Sequence, residues 1–310
     1  HFALFRWSLM PSQHHQILPR SMWALLVLLT LGWGLNWPMM KLTLADMPVW
    51  TFRSLCVASG AAGLFLIARL GGQSLRVPQA QRKRLIVISV CNVTLWNVLI
   101  GYGLALLPAG RSAILAYSMP IWAVLLSVFI LHERLTRRRL LGLVLGMAGM
   151  ALLIDEEFTA MRASALGAIL VVGAAFSWAL GTVLMKRYPI SLGTTVLTAW
   201  QLVIGGLPII IGALIIDWGH WKPIGLPAAV GLAYNMFFVF IFCYWAWFRI
   251  ATTAAPSVSS LSTLMIPIVG VFSSIWLLGE SPRWQEYVAL VLVIAALATV
   301  LIAPRRTAPV

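Results

Sequence analysis

The sequence predicts an all-α membrane protein of ten transmembrane helices, arranged as two inverted repeats of five helices each. Three observations predict this fold class: an apolar composition, ten long apolar stretches, and an early segment that recurs later in the chain. Of the 310 residues, 61% are hydrophobic and 10% are charged, whereas a soluble domain has about 25% charged residues. The composition therefore excludes an ordinary soluble domain.

Ten apolar stretches approach the roughly 20 residues that a helix needs to cross a bilayer. They occupy residues 22–44, 50–70, 85–107, 109–131, 139–154, 165–185, 194–216, 226–249, 254–278 and 284–303. We divide the chain accordingly into an N-terminal tail at 1–21, a first repeat at 22–155, a second repeat at 164–303 and a C-terminal tail at 304–310.

The basic residues are distributed unevenly between the loops. In the ten-span scheme, 16 of the 22 Lys and Arg residues fall on the side that holds both termini. By the positive-inside rule, both termini are expected in the cytoplasm, with the protein in the inner (plasma) membrane. The net charge of +14 is spread over loops rather than gathered on one folded face, so we expect the lipid bilayer as a partner and no nucleic acid.

An internal repeat is visible in four anchors. "LGWGLNWPMMK" at 31–41 is echoed by "FSWALGTVLMK" at 176–186, an offset of 145, and Pro120 and Glu133 align with Pro267 and Glu280 at an offset of 147. Anchors in the same order at nearly one offset indicate a repeat. Because each copy has an odd number of spans, the second copy enters the membrane from the opposite side, and a substrate site is expected near the midplane.

The first span carries the clearest functional pattern. Trp33, Asn36, Trp37 and Met40 lie at spacings of three and four, which places them on one helical face. Pro38 leaves a backbone carbonyl without its partner, and such a break is tolerated in a membrane where neighbours, water or substrate satisfy the freed group. We expect this face to line a cavity, although Asn36 bonded to another helix is an open alternative.

Further polar and aromatic residues lie within or near the other spans, and polar groups in hydrocarbon usually face the bundle interior. For the hydroxyls, bonds to their own helix remain an alternative, and for Tyr and Trp near span ends, so does an interfacial aromatic belt. The second, fifth, seventh and tenth spans carry little polarity, and we interpret Gly142 and Gly146 of the fifth span, at small-xxx-small spacing, as a packing contact. The additional candidates for substrate binding are Asn92, Trp96, Tyr102, Tyr117, Ser118, Trp178, Thr182, Tyr234, Asn235, Tyr244, Ser260 and Thr263.

The stretch "LPAGRSAILAYSMPIWAVLLSVFILHERLTRRRLLGLVLGMAGMALL" at 107–153 resembles the fourth and fifth helices of an EamA domain of the drug/metabolite transporter superfamily. The match includes the "PAGRSA" helix start, the mid-helix proline and the closing "HERLT", and "GWGLNWPMMK" resembles the first helix of the family. The resemblance covers about residues 22–303, but the second half lacks a match to Arg111. It implies a ten-helix metabolite carrier with both termini in the cytoplasm.

Three basic residues are candidates for an anion site or a gate. The family pattern places Arg111 at a helix start, where a guanidinium beside the helix N-terminus attracts carboxylate or phosphate. Lys41 and Lys186 end matching helices on opposite faces, where they would guard the two mouths of a path. The alternative for all three is anchoring at the interface by snorkelling.

The side-chain groups that the spans lack argue against several classes of function. None of the 8 acidic residues is near the middle of a span, which disfavours proton-coupled export of cationic drugs. We find no set of nucleophile, paired carboxylates or metal ligands, and therefore expect no enzyme, cofactor or metal site. Cys56, Cys91 and Cys243 lie within spans, so we expect no disulfide.

An aromatic cavity of amides and hydroxyls with almost no net charge suits a neutral or zwitterionic solute with an apolar part. We expect a secondary exporter or exchanger of such small metabolites, foremost amino acids, including aromatic ones. Within the superfamily this is similar to YddG-type exporters of aromatic amino acids. The alternatives on the same fold are a carrier of anionic metabolites or nucleotide sugars and a lipid scramblase. Oligomeric state, coupling ion and transport direction are not predicted.

Overall fold

The computed structural model describes the backbone of residues 20–160, 162–253 and 256–301, and the side chains of 21–153, 165–247, 249–250 and 264–299. Within these ranges every regular element is helical, which confirms the all-α prediction.

The first half of the chain holds seven α-helices. A short 3-10 turn, Gln79–Gln81, precedes α3, and a π-helical segment, Val90–Leu95, joins α3 to α4 without a break. The helices are α1 (Arg20–Asp46), α2 (Val49–Leu70), α3 (Arg82–Ser89), α4 (Trp96–Leu106), α5 (Ala109–Ala116), α6 (Met119–Ile130) and α7 (Arg137–Ala160).

The second half holds six α-helices. A second π-helical segment, Tyr234–Cys243, joins α10 to α11. The helices are α8 (Arg162–Arg187), α9 (Thr194–Ile215), α10 (Leu226–Ala233), α11 (Tyr244–Thr253), α12 (Pro256–Leu278) and α13 (Trp284–Leu301).

The helices are long and apolar enough for a multi-pass membrane protein. Seven helical segments of the described chain meet the length and hydropathy of a span, and the stretches 264–278 and 284–299 form two shorter apolar helices. The membrane class is thus confirmed, while the number of ten spans and the repeat boundaries stay predictions. The seven segments are 21–46, 49–70, 79–106, 109–130, 165–187, 194–215 and 226–247.

Prolines and a glycine mark several helix boundaries. Pro48 and Pro108 immediately precede α2 and α5 in extended backbone conformations, and Pro120 follows the break between α5 and α6 at Tyr117–Ser118. At the end of α12, Gly279 has a φ of +67° and donates its N–H to the carbonyl of Ile275 at 3.1 Å. This left-handed conformation favours glycine and ends the helix.

The two halves interleave instead of forming separate bodies. Helix α2 packs on α9, and α7 packs on α13, and these are matching helices of the two halves. Helix α1 packs on α12 and on α10 with its π segment, while α8 packs on α6 and on α4 with its π segment. The packing pattern is therefore preserved when the halves are exchanged, and the space enclosed by α1, α4, α8 and α11 lies between them.

The two π segments occupy corresponding places in the two halves. A π turn widens the helix and displaces its hydrogen bonds, and such turns are frequent at functional sites. Side chains satisfy the carbonyls near these turns: Ser177 Oγ donates to Cys91 O at 2.7 Å, and Asn97 Nδ2 donates to Val93 O at 2.8 Å. Asn235 Nδ2 likewise donates to Gly231 O at 2.9 Å. These bonds stabilise irregular backbone inside the bundle.

Glycines allow close contact between helices from different halves. A Cβ at Gly34 would lie 2.3 Å from Val269 on α12, and a Cβ at Gly181 would lie 1.9 Å from Asn92 Oδ1. Gly34 of the opening motif and Gly181 of its echo thus act in packing.

Candidate functional site

A central cavity of about 430 Å³ lies between the two halves. This volume is within the range of small-molecule sites, about 300–1,000 Å³. Its wall combines aromatic rings with a smaller set of polar side chains. The aromatic residues are Trp33, Trp37, Trp96, Tyr117, Trp178, Phe240, Tyr244 and Trp247, and the polar residues are Asn36, Arg53, Asn92, Asn97, Thr182, Thr194, Thr198 and Gln201.

The predicted face of α1 forms one wall of this cavity. Trp33, Asn36, Trp37 and Met40 all line it, as the spacing of three and four residues indicated. Trp37 and Met40 are buried, and Asn36 Oδ1 is buried without a hydrogen-bond partner. Helix α1, which runs through Pro38 as one α-helix, therefore presents both aromatic surface and an unsatisfied amide oxygen to the cavity.

The opposite wall comes from the first π segment, α4 and α8. The rings of Trp96 and Trp178 lie with their centroids 5.1 Å apart, and Thr182 follows Trp178 by one turn. Asn92 lies between these helices, and its Nδ2 donates to Gln201 Oε1 on α9 at 3.2 Å. Matching tryptophans of the two halves, Trp33 and Trp178, thus both reach the cavity.

Two predicted tyrosines line the cavity, from α5–α6 and α11. Tyr117 is buried at the break between α5 and α6. The Tyr244 ring packs edge-on to Trp33 with centroids 6.2 Å apart, and Trp247 lies on the other side of Trp33 at 5.6 Å. The aromatic surface is therefore continuous from α1 to α11.

Four predicted residues lie outside the cavity wall. The Tyr102 hydroxyl accepts a hydrogen bond from Trp50 Nε1 at 2.8 Å and is exposed, as expected of an interfacial tyrosine. Tyr234 donates its hydroxyl to Gly32 O at 2.8 Å and so joins the second π segment to α1. Ser118 is fully buried at the helix break, and Asn235 bonds its own helix. The predictions for Ser260 and Thr263 concern side chains outside the described residues.

The three predicted basic residues bind protein groups rather than the cavity. Arg111 forms a buried ion pair with Glu286 of α13, through its Nε at 3.2 Å and also through Nη2. Lys41 Nζ donates to the carbonyls of Leu104 and Leu107 at 2.7 Å each, so it caps the end of α4.

Lys186 forms an ion pair with Glu133, which also accepts from Arg139 Nη1 at 2.7 Å. Glu133 lies in the loop after α6. The hydrogen bond from Lys186 lowers the pKa of Glu133 below its ordinary value, and the bond from Arg139 acts in the same direction. At neutral pH Glu133 is therefore ionised and holds both cations.

Arg53 is a cavity residue that the sequence analysis did not single out. It lies in the first turns of α2, is 2% exposed and lines the cavity. An arginine next to a span end looks like a snorkelling anchor, and no spacing rule shows that its head points inwards. The cavity thus contains a cation, contrary to the expectation of almost no net charge.

The seventh span, which carries little polarity, also contributes cavity residues that the sequence analysis did not single out. Thr194, Thr198 and Gln201 of α9 line the cavity. Their spacing of four and three residues is the same signal that identified the face of α1. Asn97, four residues from Val93 in the third span, lines the cavity as well. The regular spacing of polar residues in these otherwise apolar spans could have identified them from the sequence.

The cavity is closed at one end and open at the other. Arg53, Met40, Ile100 and Tyr117 are buried at the end where α1 meets α2. At the other end, where α8 is followed by α9, Thr182 and Thr194 are exposed. The opening therefore faces the same side as the N-terminus of α1.

Two contacts join helix ends on the side of the blind end. The carboxylate of Glu280, in the loop between α12 and α13, accepts hydrogen bonds from the backbone N–H groups of Ala109 at 2.6 Å and Gly110 at 3.0 Å. These are the first amides of α5, where a helix dipole favours an anion. Lys41 adds its bonds to the end of α4. Both contacts join parts of the chain that flank the cavity.

No group of His, Cys, Asp and Glu side chains that would hold a metal ion occurs in the described part of the chain. Cys56, Cys91 and Cys243 are free and buried. The cavity therefore offers aromatic, amide, hydroxyl and guanidinium groups for recognising an organic solute.

The helical fold and the cavity between two interleaved halves define a multi-pass membrane protein with a central cavity. The chain belongs to the EamA-like transporter family, whose model matches residues 21–155 and 165–302. The family model thus matches the chain twice, once in each half.

Relatives agree with this assignment. The chain is 26% identical over 248 residues to the uncharacterized transporter YoaV of Bacillus subtilis (strain 168), covering 80% of this chain and 85% of the relative. It is 25% identical over 300 residues to a probable amino-acid metabolite efflux pump of Escherichia coli (strain K12), covering 88% and 92%. A solved crystal structure shares the fold, with a TM-score of 0.64 and 19% identity over 93% of this chain and 99% of that one.

Proposed function

We propose that the protein is a secondary exporter or exchanger of small zwitterionic metabolites, foremost amino acids including aromatic ones. The observation that carries this proposal is the central cavity, closed at one end and walled by tryptophans and amides from both halves. Aromatic rings supply apolar contact and stacking to a side chain, while amides and hydroxyls orient polar groups. The name of the relative from Escherichia coli supports an amino-acid substrate.

We further propose ten spans in two inverted repeats, in the inner membrane with both termini in the cytoplasm. The excess of Lys and Arg on the side of the N-terminus supports this orientation. In this proposed orientation the cavity opens towards the cytoplasm. A solute from the cytoplasm would enter past Thr182 and Thr194 and bind among the tryptophans.

Alternating access requires that the contacts at the closed end of the cavity break while the corresponding contacts of the other repeat form at the open end. Glu280 and Lys41 belong to the closed end, and their counterparts at offsets of 147 and 145 are Glu133 and Lys186 at the open end. Release of Glu280 from the first amides of α5 would open the blind end. Because related halves have similar energies in exchanged conformations, the transport cycle needs no covalent step.

An anionic metabolite is the second candidate, because Arg53 places a guanidinium in the cavity. Several converging cations would be expected for a phosphorylated solute, since a dianion in a low dielectric needs more than one partner. Among the described lining residues Arg53 is the one cation. This favours a monocarboxylate or zwitterion over a phosphate ester.

The experiment is counterflow of labelled phenylalanine, and then threonine, in liposomes that contain the purified protein. Trp33→Ala and Trp178→Ala are compared with the parent and with Trp276→Ala, a control at an exposed tryptophan of α12. Saturable exchange that the two cavity variants weaken and the control leaves unchanged supports the proposal. A monodisperse parent protein without exchange above empty liposomes would contradict it for amino acids.

A further inference from the structure

Arg53 occupies an unusual environment for a buried guanidinium. It is 2% exposed, so its head does not reach the interface by snorkelling. Its Nη2 donates to the thioether sulfur of Met40 at 3.1 Å, and its Nε is buried without a partner. A thioether is a weak acceptor, and the guanidinium carbon also lies 4.8 Å from the centre of the Phe52 ring. Neither partner carries a negative charge, and a buried charge without a counter-charge is costly.

The contrast with Arg111 shows what this fold does with a structural arginine. Arg111 is also buried, and Glu286 accepts two of its hydrogen bonds. Arg53 has no such carboxylate among the described side chains. The titratable groups that act on it are the thiol of Cys56 and the phenol of Tyr244, which are neutral at pH 7 by their ordinary pKa values.

The described carboxylates are all engaged elsewhere. Asp46 accepts from Gly225 N at 2.8 Å, and Asp217 accepts from Thr51 N at 2.6 Å. Glu133 binds Lys186, Glu280 binds the start of α5, and Glu286 binds Arg111. None of these five lines the cavity. No described acid is therefore placed to neutralise Arg53, and the cavity in front of it is where an anion would be held.

The position of Arg53 fits it to receive a ligand from the open end. The bonds from Thr51 N and Oγ1 to Asp217 fix the first turn of α2, two residues before Arg53. Its guanidinium lies at the blind end of the cavity, where its Nη2 donates to the Met40 sulfur. A solute entering between the tryptophans meets Arg53 last.

We propose that Arg53 binds the carboxylate of the transported solute and thereby makes a free carboxylate a requirement for recognition. The inference rests on the proposed transport through the central cavity and names the group that the cavity selects. Two N–H groups of a guanidinium match the two oxygens of a carboxylate. The rest of an amino acid then lies towards Trp96 and Trp178, whose faces accept an ammonium or an aromatic side chain. Intramembrane ionisable groups generally mark such solute sites.

The test compares ligands that differ at one group, by their stabilisation of the purified protein against heat and by competition in counterflow. Phenylalanine and 3-phenylpropionate carry the carboxylate, whereas phenylalaninamide and phenethylamine do not. We expect the two acids to stabilise the parent and compete, and the two amines to do so about 10- to 100-fold more weakly, as the loss of a charged hydrogen bond predicts. Arg53→Gln should lose most of this preference, and Arg53→Lys should keep part of it.

Arg69→Gln is the matched control, because Arg69 is exposed at the last turn of the same helix. It should keep the parent preference. If amino acids are exchanged but phenylalaninamide competes as well as phenylalanine does, the role of Arg53 is overturned. The transport proposal then still stands.

Two further outcomes keep the result clear. If Arg53→Gln does not fold, the parent and Arg53→Lys are compared instead. A preference for acids that is reduced in Arg53→Lys supports the role of Arg53, and an equal preference in both proteins contradicts it. If no phenylalanine analogue binds or exchanges, the proposed function fails, and the parent and Arg53→Lys are tested with short carboxylates from acetate to hexanoate. Stabilisation of the parent by these acids, but not by the corresponding amides, would still support Arg53, and no difference would overturn it.

Discussion

The rings of Trp96 and Trp178 meet across the two halves of the protein, with centroids 5.1 Å apart and planes inclined by 58°. This pair joins α4 to α8 on the cavity wall and presents one continuous aromatic surface. Its geometry is within the range of favourable aromatic pairs, which contribute about 0.5–1.5 kcal/mol beyond the area that they bury.

Substitutions of Trp96 test the contribution of this pair to solute binding. Trp96→Ala should raise the KM for phenylalanine roughly two- to tenfold, because it removes one face of the aromatic surface. Trp96→Phe should keep most of the affinity, since a ring remains. Counterflow at several concentrations measures the KM. An unchanged KM in Trp96→Ala, with the protein folded, would remove the pair from the solute site.

The ion pair of Arg111 and Glu286 predicts an effect on stability. Glu286→Leu leaves a buried guanidinium without this partner and should destabilise the protein by about 3–5 kcal/mol. The double variant Arg111→Met with Glu286→Leu should recover much of that loss, because both charges are removed together. Thermal unfolding in detergent measures the difference. If the double variant is as unstable as Glu286→Leu, the pair is not the source of the effect.

Glu280 predicts an effect on access to the cavity. Glu280→Gln weakens the anion contact with the first amides of α5, which is worth about 0.3–2 kcal/mol. The fraction of protein in which the blind end is open should therefore rise roughly two- to thirtyfold. An Ile100→Cys reporter, buried at the blind end of the cavity wall, measures this in oriented vesicles by its reaction with an impermeant maleimide added on the face of the blind end. Glu133→Gln is the matched comparison and should not increase that reaction. Equal rates in both variants would contradict the assignment of the closed end.

Glu133 predicts a pH dependence of stability. Its pKa is lowered in the folded protein, chiefly by the hydrogen bond from Lys186, so its contribution is complete above the ordinary carboxyl pKa near 4.5 and is lost as the pH falls through the lowered value. At pH 7 the free energy of unfolding of the parent should exceed that of Glu133→Gln by about 0.2–1 kcal/mol. The Tm of the parent should be correspondingly higher. The difference should vanish in acid. A difference that is constant with pH would show that the charge of Glu133 is not its cause.

The sequence predicted the helical membrane class and the wall that α1 contributes, because both depend on local patterns. The spacing of Trp33, Asn36 and Trp37 fixes a common face without any knowledge of the neighbours. The echo of this segment around Trp178 predicted the second tryptophan. Hydrophobicity and periodicity were sufficient for these conclusions.

Arg53 and Arg111 show where sequence reasoning fails. Both lie near the start of a helix, and the charge pattern does not indicate which of them finds a carboxylate. That depends on Glu286, which is 175 residues from Arg111 along the chain, and on the packing of α2 against the second half. The roles of Tyr102 and Tyr234 likewise depend on Trp50 and on the Gly32 carbonyl, which are tertiary contacts.

The most direct measurement of the central claim is protection of Thr182→Cys by substrate. Thr182 is exposed on the cavity wall one turn from Trp178, and the native Cys56, Cys91 and Cys243 are buried, so the background reaction should be low. Ser191→Cys, exposed in the loop after α8 and outside the cavity, is the control. Saturating phenylalanine should slow alkylation of Thr182→Cys by a maleimide and leave Ser191→Cys unchanged. Equal rates at Thr182→Cys with and without phenylalanine would contradict a central amino-acid site.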